Sequence, residues 1–183
     1  MNKINIYLRQ LRSEDVTDEY VSWFSDSVVH EFLDSKNMTK KDSMEYIEFG
    51  IREKQYYLYG IFDDSNDKHI GNVKVGPINW IHGTSDLVTV IGDRDYWGKG
   101  LATKAIKLGN EIAFDVYDIR KVSGPVAEKN IGSLKAYRRA GWVAEAILKG
   151  HKVINGEPQD QIIISCFNPK YFDDVPNDIL LEL

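Results

Sequence analysis

The sequence is short of the features that would place it outside a folded, water-facing interior. Its one cysteine, Cys166, excludes an internal disulfide framework. No run of residues approaches the roughly 18 apolar positions that a membrane span requires, and no internal repeat or low-complexity tract interrupts the chain. The opening residues, Met1 to Arg12, alternate polar and apolar side chains where a secretory signal needs an unbroken apolar stretch, so the cytoplasm is the expected compartment. Charge of one sign is also scarce. With 23 Lys and Arg against 28 Asp and Glu, the net charge of -5 provides no basic field for nucleic acid and none for an anionic membrane, so any anion must be held locally.

What is present fits one compact domain over residues 1–183, with 43% hydrophobic residues to build a core around a cleft. Ile4 to Leu11 reads as a strand, and Ser13-Glu14-Asp15 supplies a cap and acidic first turn for a helix carrying Tyr20, Trp23 and Phe24. After a loop from Asp34 to Met38, Thr39 to Asp42 resembles a capping box and opens an amphipathic helix with Met44, Ile47 and Ile51 on its apolar face. Aromatic and β-branched runs at Tyr56 to Phe62 and Ile70 to Val75 predict two antiparallel strands joined at the polar tract Asp63 to Lys68, the second interrupted by Gly76-Pro77. A third strand, Asp86 to Ile91, leads through Tyr96-Trp97 into Gly98-Lys99-Gly100. From Leu101 the apolar positions Leu101, Ala105, Leu108 and Ile112 have the spacing of a helix with one buried stripe. A strand (Lys121 to Ala127), a helix (Ile131 to Ala140) closed by Gly141, and two strands around Asn155-Gly156 complete a mixed α/β chain.

The glycine turn carries the chemistry. Placed between a strand and a helix, it lets backbone approach a ligand while first-turn amides lacking intrahelical partners point outward, an arrangement suited to phosphate. It is not a P-loop: five residues separate Gly92 from Gly98 where four are needed, and Gly100 rather than Ser or Thr follows Lys99. A dinucleotide fingerprint would need a small third residue at Thr103, and the small residue is Ala102. A turn whose glycines merely relieve backbone strain is the remaining alternative.

Tyr96-Trp97-Gly98-Lys99-Gly100-Leu101-Ala102-Thr103, followed by Ala127-Glu128-Lys129-Asn130-Ile131-Gly132-Ser133 and Tyr137-Arg138-Arg139-Ala140-Gly141-Trp142, resembles the GCN5-related N-acetyltransferases (GNAT), nearest to the RimJ/RimL type of ribosomal-protein, amino-sugar and polyamine acetylating enzymes. The resemblance implies the GNAT fold, α/β (α+β), a mostly antiparallel mixed sheet of about seven strands with a V-shaped splay, flanked by about four helices. It implies that the backbone of Gly98, Lys99, Gly100, Leu101, Ala102 and Thr103 cradles the pyrophosphate of acetyl-coenzyme A. The pantetheine arm would lie in the splay beside Val90 and Ile91, with Asn130 and Ser133 adding contacts. The chain departs from the family by carrying Asp95 where Gln or Arg is frequent, and Arg94, Lys99 and Lys104 are candidates for local positive charge.

Acetyl transfer to an amine needs a neutral nucleophile, stabilisation of the carbonyl oxygen and a proton for the leaving thiolate. The resemblance assigns the proton donor to Tyr137, whose alternative is plain aromatic packing, and the oxyanion contact to a backbone amide near Val90. Asp86 is the first candidate for the base, with His82 in the preceding turn or a water chain as alternatives. His30 and Glu31 fall in the segment that lines the acceptor pocket in the family; Trp80 and Trp97 either line the cleft or pack in the core. Cys166 reads as a buried strand residue, since the family transfers acetyl directly. No metal is expected. The acceptor expected first is a nucleotide-linked amino sugar, by likeness of Tyr20 to Asp26 and Phe32-Leu33 to surface-polysaccharide enzymes. A protein N-terminus and a polyamine come next, with a coenzyme-binding module lacking catalysis as the non-enzyme alternative. Neither nucleic acid nor membrane is expected as a partner, and a homodimer is consistent with the resemblance.

Overall fold

The computed structural model describes residues 4–33 and 37–179, so part of the loop expected from 34 to 38 lies outside it. Seven strands form one sheet in the order β1-β2-β3-β4-β5-β7-β6. These are β1 (Ile6–Gln10), β2 (Tyr57–Asp63), β3 (Lys68–Asn79), β4 (Thr84–Ile91), β5 (Lys121–Ala127), β6 (Val143–Ile154) and β7 (Glu157–Phe167). The helices are α1 (Asp18–Trp23), α2 (Lys40–Glu53), α3 (Leu101–Glu111) and α4 (Ile131–Arg139). Neighbouring strands are antiparallel except β4 and β5, which run parallel. This is the fold the motifs imply. Among the described residues, no helix is long and apolar enough to cross a membrane.

Each face of the sheet has its own core. On one, Leu101, Ala105 and Ile106 of α3 and Leu134, Ala136 and Tyr137 of α4 pack over Val73, Leu87, Val122 and Ile164. On the other, Tyr20 and Trp23 of α1 and Ile47 of α2 pack with Leu11, Tyr56, Leu58 and Phe62. A strand covered on both faces reads as an unbroken apolar run, and β2 is such a strand, buried from Leu58 to Asp63.

Local chemistry adjusts several expected boundaries. Asp15 does not open a helix, because its carboxylate is consumed by the Arg9 guanidinium and by the Arg12 N–H at 2.8 Å, closing a single tight turn over Ser13–Asp15. The cap of α1 is Thr17, whose hydroxyl accepts the Tyr20 N–H at 3.1 Å. The Thr39 capping box forms with Asp42 in the acidic position. In α2 only Ile47 of the expected apolar face is buried; Met44 and Ile51 stay exposed, and the contact stripe is Ser43, Ile47 and Gly50. Small residues win there because the helix lies against Tyr56, whose ring would meet a Cβ on Gly50 at 2.4 Å. In α3 the buried stripe runs through Leu101, Ala105, Ile106 and Gly109 rather than Leu108. Gly76-Pro77 shifts the β3–β4 register between Val75 and Ile78 without ending the strand.

At the end of β4, Gly92 meets Trp23 so closely that a Cβ would stand 2.0 Å from the indole. Gly92→Ala must therefore displace Trp23, with the cost of overpacking, about 1 to 3 kcal/mol. Urea denaturation should show the unfolding free energy falling by that amount through a lower midpoint, with the slope unchanged.

Candidate active site

β4 and β5 pair at only three positions, Thr84 with Lys121, Ser85 with Val122 and Asp86 with Ser123. Beyond Asp86 they diverge. Backbone groups on a strand alternate between its two edges, and two contacts fix the phase. Gly92 N–H donates to Ile70 O of β3 at 2.9 Å, whereas Leu87 O accepts the Tyr137 hydroxyl at 2.9 Å, away from β3. The backbones of Leu87, Thr89 and Ile91 therefore face the opening, and that of Val90 is turned toward β3. The amides that open into the splay beside Val90, where the oxyanion contact is expected, are those of Thr89 and Ile91. The carbonyl of Ile91 already accepts the Trp97 indole N–H at 2.8 Å.

A cavity of about 490 Å³ fills the opening, lined by Thr89, Val90 and Ile91, by the glycine turn and the start of α3, and by Asn130, Gly132, Ser133 and Tyr137. Gly98 and Gly100 both have φ of 73°, a backbone that favours glycine, and a Cβ on either would meet nothing within 4 Å. Gly100 caps α3 without any side-chain hydrogen bond, so the first-turn amides of Leu101, Ala102 and Thr103 keep their donors. An open cradle beside uncapped amides fits a diphosphate.

The cations expected around it are spent elsewhere. Lys99 lays its ammonium 5.1 Å over the Tyr96 ring, Lys104 donates to the carbonyl of Ile4, and Arg94 pairs with Asp26 at 3.6 Å; only the backbone of Lys99 remains a candidate. Lys135 and Arg139, one turn apart on α4, line the cavity instead, and neither forms an ion pair among the described residues. The sequence carries their i, i+4 spacing after Asn130, though it reads equally as a solvated face. Asn130 spends its side-chain oxygen on the Ser133 N–H at 3.2 Å, capping α4, so an Asn130 contact to a ligand falls to its amide nitrogen.

Tyr137 is buried against Trp142, ring centroids 4.7 Å apart. Burial pushes its phenol up to about 12; the hydroxyl and amide of Thr89 pull the other way, and the charge of Asp86 adds to the rise. The Thr89 hydroxyl oxygen is itself buried beside that phenol and, among the described residues, meets no partner in hydrogen-bond geometry.

Side chains alternate as the backbone does, so Asp86, Val88 and Val90 face the α1–α2 side of the sheet. They line a second cavity of about 270 Å³, with Tyr20, Trp23, Phe24 and Tyr46 around it and Asn72, Lys74 and Lys152 among its polar groups. Val90 lines both cavities. Burial raises the Asp86 carboxyl above the ordinary carboxylate value, and Lys74 opposes the rise. Glu31 lines the first cavity, whereas the imidazole of His30 is tied to Phe24 O at 2.8 Å and lines neither.

Trp80 and His82 are the clearest corrections. They sit in the turn before β4, the end of the strand opposite the splay, where the Trp80 indole donates to Lys54 O at 2.8 Å and the His82 carbonyl accepts from Arg120 at 3.1 Å. Neither lines either of these two cavities, so His82 does not share the cavity that Asp86 lines. Trp97 does line the first. Cys166 is half-buried, its thiol pushed up to about 11 by burial, and it lines neither cavity. Among the described residues no cluster of His, Cys, Asp or Glu could hold a metal ion.

Residues 5–143 match the family model of the acetyltransferase (GNAT) domain. The chain is 28% identical to the probable N-acetyltransferase YjcK of Bacillus subtilis, across 90% of this chain and 94% of that protein. It is also 28% identical to the spermidine N(1)-acetyltransferase of Escherichia coli, across 71% and 80%. Among solved structures, the spermidine N-acetyltransferase of Vibrio cholerae in complex with CoA and spermine superposes with a TM-score of 0.82 at 22% identity, covering 91% of this chain and 97% of that one. The cradle, the splay and the matched domain together make this chain a member of the GNAT family, an N-acetyltransferase that uses acetyl-coenzyme A.

Proposed function

We propose that the chain acetylates a terminal primary amine of a polyamine by direct attack within a ternary complex, the thioester lying in the splay and the acceptor entering from the α1–α2 side. The observation that carries the reading is that consecutive residues of β4 line opposite cavities, Thr89 the first and Asp86 and Val88 the second, while Val90 borders both. One strand thus separates coenzyme from acceptor and joins them at its end.

In this reading the amides from Gly98 to Thr103 grip the diphosphate, and Lys135 and Arg139 add the cations that a chain of net charge -5 does not supply globally. Asp86 takes the proton from the amine as the C–N bond forms. Tyr137 gives its proton to sulfur as the C–S bond breaks, and the Thr89 or Ile91 amide receives the developing oxyanion. The acceptor's methylenes would lie among Tyr20, Trp23, Phe24 and Tyr46, whose ring faces also attract a second ammonium. The spermidine acetyltransferases among the relatives support this acceptor class over the amino sugar expected first, which no relative reported above supports.

A second reading rests on β3. Burial holds the His69 imidazole below its usual value, and its Nε2 lies 2.9 Å from both Gly71 O and Asn72 Oδ1. Nε2 must therefore carry the hydrogen, which turns the Asn72 amide nitrogen away from His69. With Lys74 beside it, that face of the cavity offers donors suited to an amine that also bears a carboxylate or phosphate.

Following thiol release from acetyl-coenzyme A over spermidine, spermine, amino acids, amino-sugar phosphates and N-terminal peptides decides the acceptor. Polyamine turnover is expected, with Lys74→Met raising polyamine kcat/KM by about threefold to tenfold as a repelling cation is removed. A preference for anionic amines, lost in Lys74→Met, would establish the second reading, and coenzyme binding without turnover of any amine would reduce the chain to a binding module. Gly100→Val places a β-branched side chain in the cradle at positive φ and should weaken coenzyme binding at least about tenfold in calorimetry. Asp86→Asn should lower turnover by about 100-fold or more while raising Tm at neutral pH. A raised folded-state pKa makes the ionised carboxylate a cost that is absent below the unfolded-chain value and complete above the folded one, so the gain in Tm should vanish in acid.

A further inference from the structure

We propose that Thr89 is a positioning residue for the proton donor, its hydroxyl turning onto the Tyr137 oxygen as that oxygen becomes a phenolate. The inference rests on the reading of Tyr137 as the acid and goes beyond it in naming what makes so buried a phenol able to act.

In the resting arrangement the Tyr137 proton points at Leu87 O, 2.9 Å away, a group that can only accept. Transfer of that proton to sulfur breaks the Tyr137 O–H bond, forms S–H and moves the thiolate's charge onto the phenol oxygen. The phenolate would then face the lone pairs of the Leu87 carbonyl inside a buried site, which raises the cost of giving the proton up. A donor must replace the lost contact.

Thr89 is built to supply it. It stands two residues beyond Leu87 on β4, so its side chain shares the face of the strand that lines the Tyr137 cavity. Its hydroxyl oxygen is buried and, among the described residues, meets no partner in hydrogen-bond geometry, leaving the O–H free to rotate onto the neighbouring phenol. It stands close enough to the phenol, with its own backbone amide, to oppose the rise that burial causes. A buried hydroxyl without a partner costs stability, and that cost is offset in the one state where the phenol carries charge. Thr89 keeps its own proton throughout; after the acetylated amine leaves, the phenolate regains one from water.

The test uses the full chain with acetyl-coenzyme A and the best primary amine from the panel. Thr89→Val is expected to lower kcat by about tenfold to 100-fold with KM for acetyl-coenzyme A within about twofold, and Thr89→Ser to restore most of the loss. Tm should hold or rise in Thr89→Val, where a structural role would lower it. In a Tyr137→Phe background the same change should add less than about twofold, since it acts through the phenol. An unchanged kcat in Thr89→Val, a full multiplicative loss on top of Tyr137→Phe, or failure of the serine variant to rescue would overturn the proposal while leaving Tyr137 as the acid. Unchanged turnover in Tyr137→Phe, or no turnover of any amine by the unmodified chain, would remove the acid and the proposal together.

Discussion

The site depends on an unfinished ladder. Parallel strands β4 and β5 begin together and separate after Asp86, which leaves the backbone of Leu87, Thr89 and Ile91 inside the sheet without a neighbouring strand on that edge. Buried backbone groups do not stay unpaired without cost. Here the Tyr137 hydroxyl takes one carbonyl and the Trp97 indole another, so the residues that close the gap are drawn from the segments that bound the cavity. The amides left over face the cavity that is proposed to hold the thioester. A sheet that closed fully would be more stable and could not hold the arm of a coenzyme.

The same strand partitions the electrostatics. Burial lifts Tyr137 on one face and Asp86 on the other, in both cases favouring the protonated form. Neighbouring groups then correct each shift in the direction the chemistry needs. Donors from Thr89 favour a phenolate, and the ammonium of Lys74 favours a carboxylate. The cradle proposed for the diphosphate is built differently, with uncapped amides at α3 and two cations of the neighbouring α4 lining the cavity, because the side chains nearest in sequence are diverted to Tyr96, Ile4 and Asp26.

Much of this was legible beforehand, for reasons that differ by residue. The glycine turn announces itself because positive φ demands glycine, and the Asn155-Gly156 hairpin because a tight turn between two apolar runs does the same. The strand Lys121–Ala127 matches its expected span although Lys121, Ser123, Gly124 and Pro125 interrupt its apolar residues. Sequence spacing could not say which edge of β4 a backbone amide faces, and so placed the oxyanion contact near Val90 without singling out the Thr89 and Ile91 amides. It could not show that Lys99 folds onto an aromatic ring, because that ring is fixed by tertiary packing. Trp80 and His82 looked near Asp86 along the chain, yet strand geometry carries them to the far end of β4 from the splay. Lys135 and Arg139 were visible only as two positive charges on a helix, a pattern that most solvated faces share.

The acceptor side carries a balance that bears on how a charged amine could be its own activator. In the proposed mechanism an ammonium approaching Asp86 would act as Lys74 already does, pulling the carboxyl toward its ionised form and thereby creating the group that is to accept the proton. Attraction alone would leave a base too weak to take it, since a carboxylate stabilised by a cation gives up affinity for protons. Burial works against that loss, holding the carboxyl above its ordinary value in the same apolar surroundings that accommodate the acceptor's methylenes. If Asp86 is the base, as proposed, it would be strongest when the acceptor has excluded water and its nitrogen is poised to lose charge, which would tie proton removal to a filled pocket rather than to solvent.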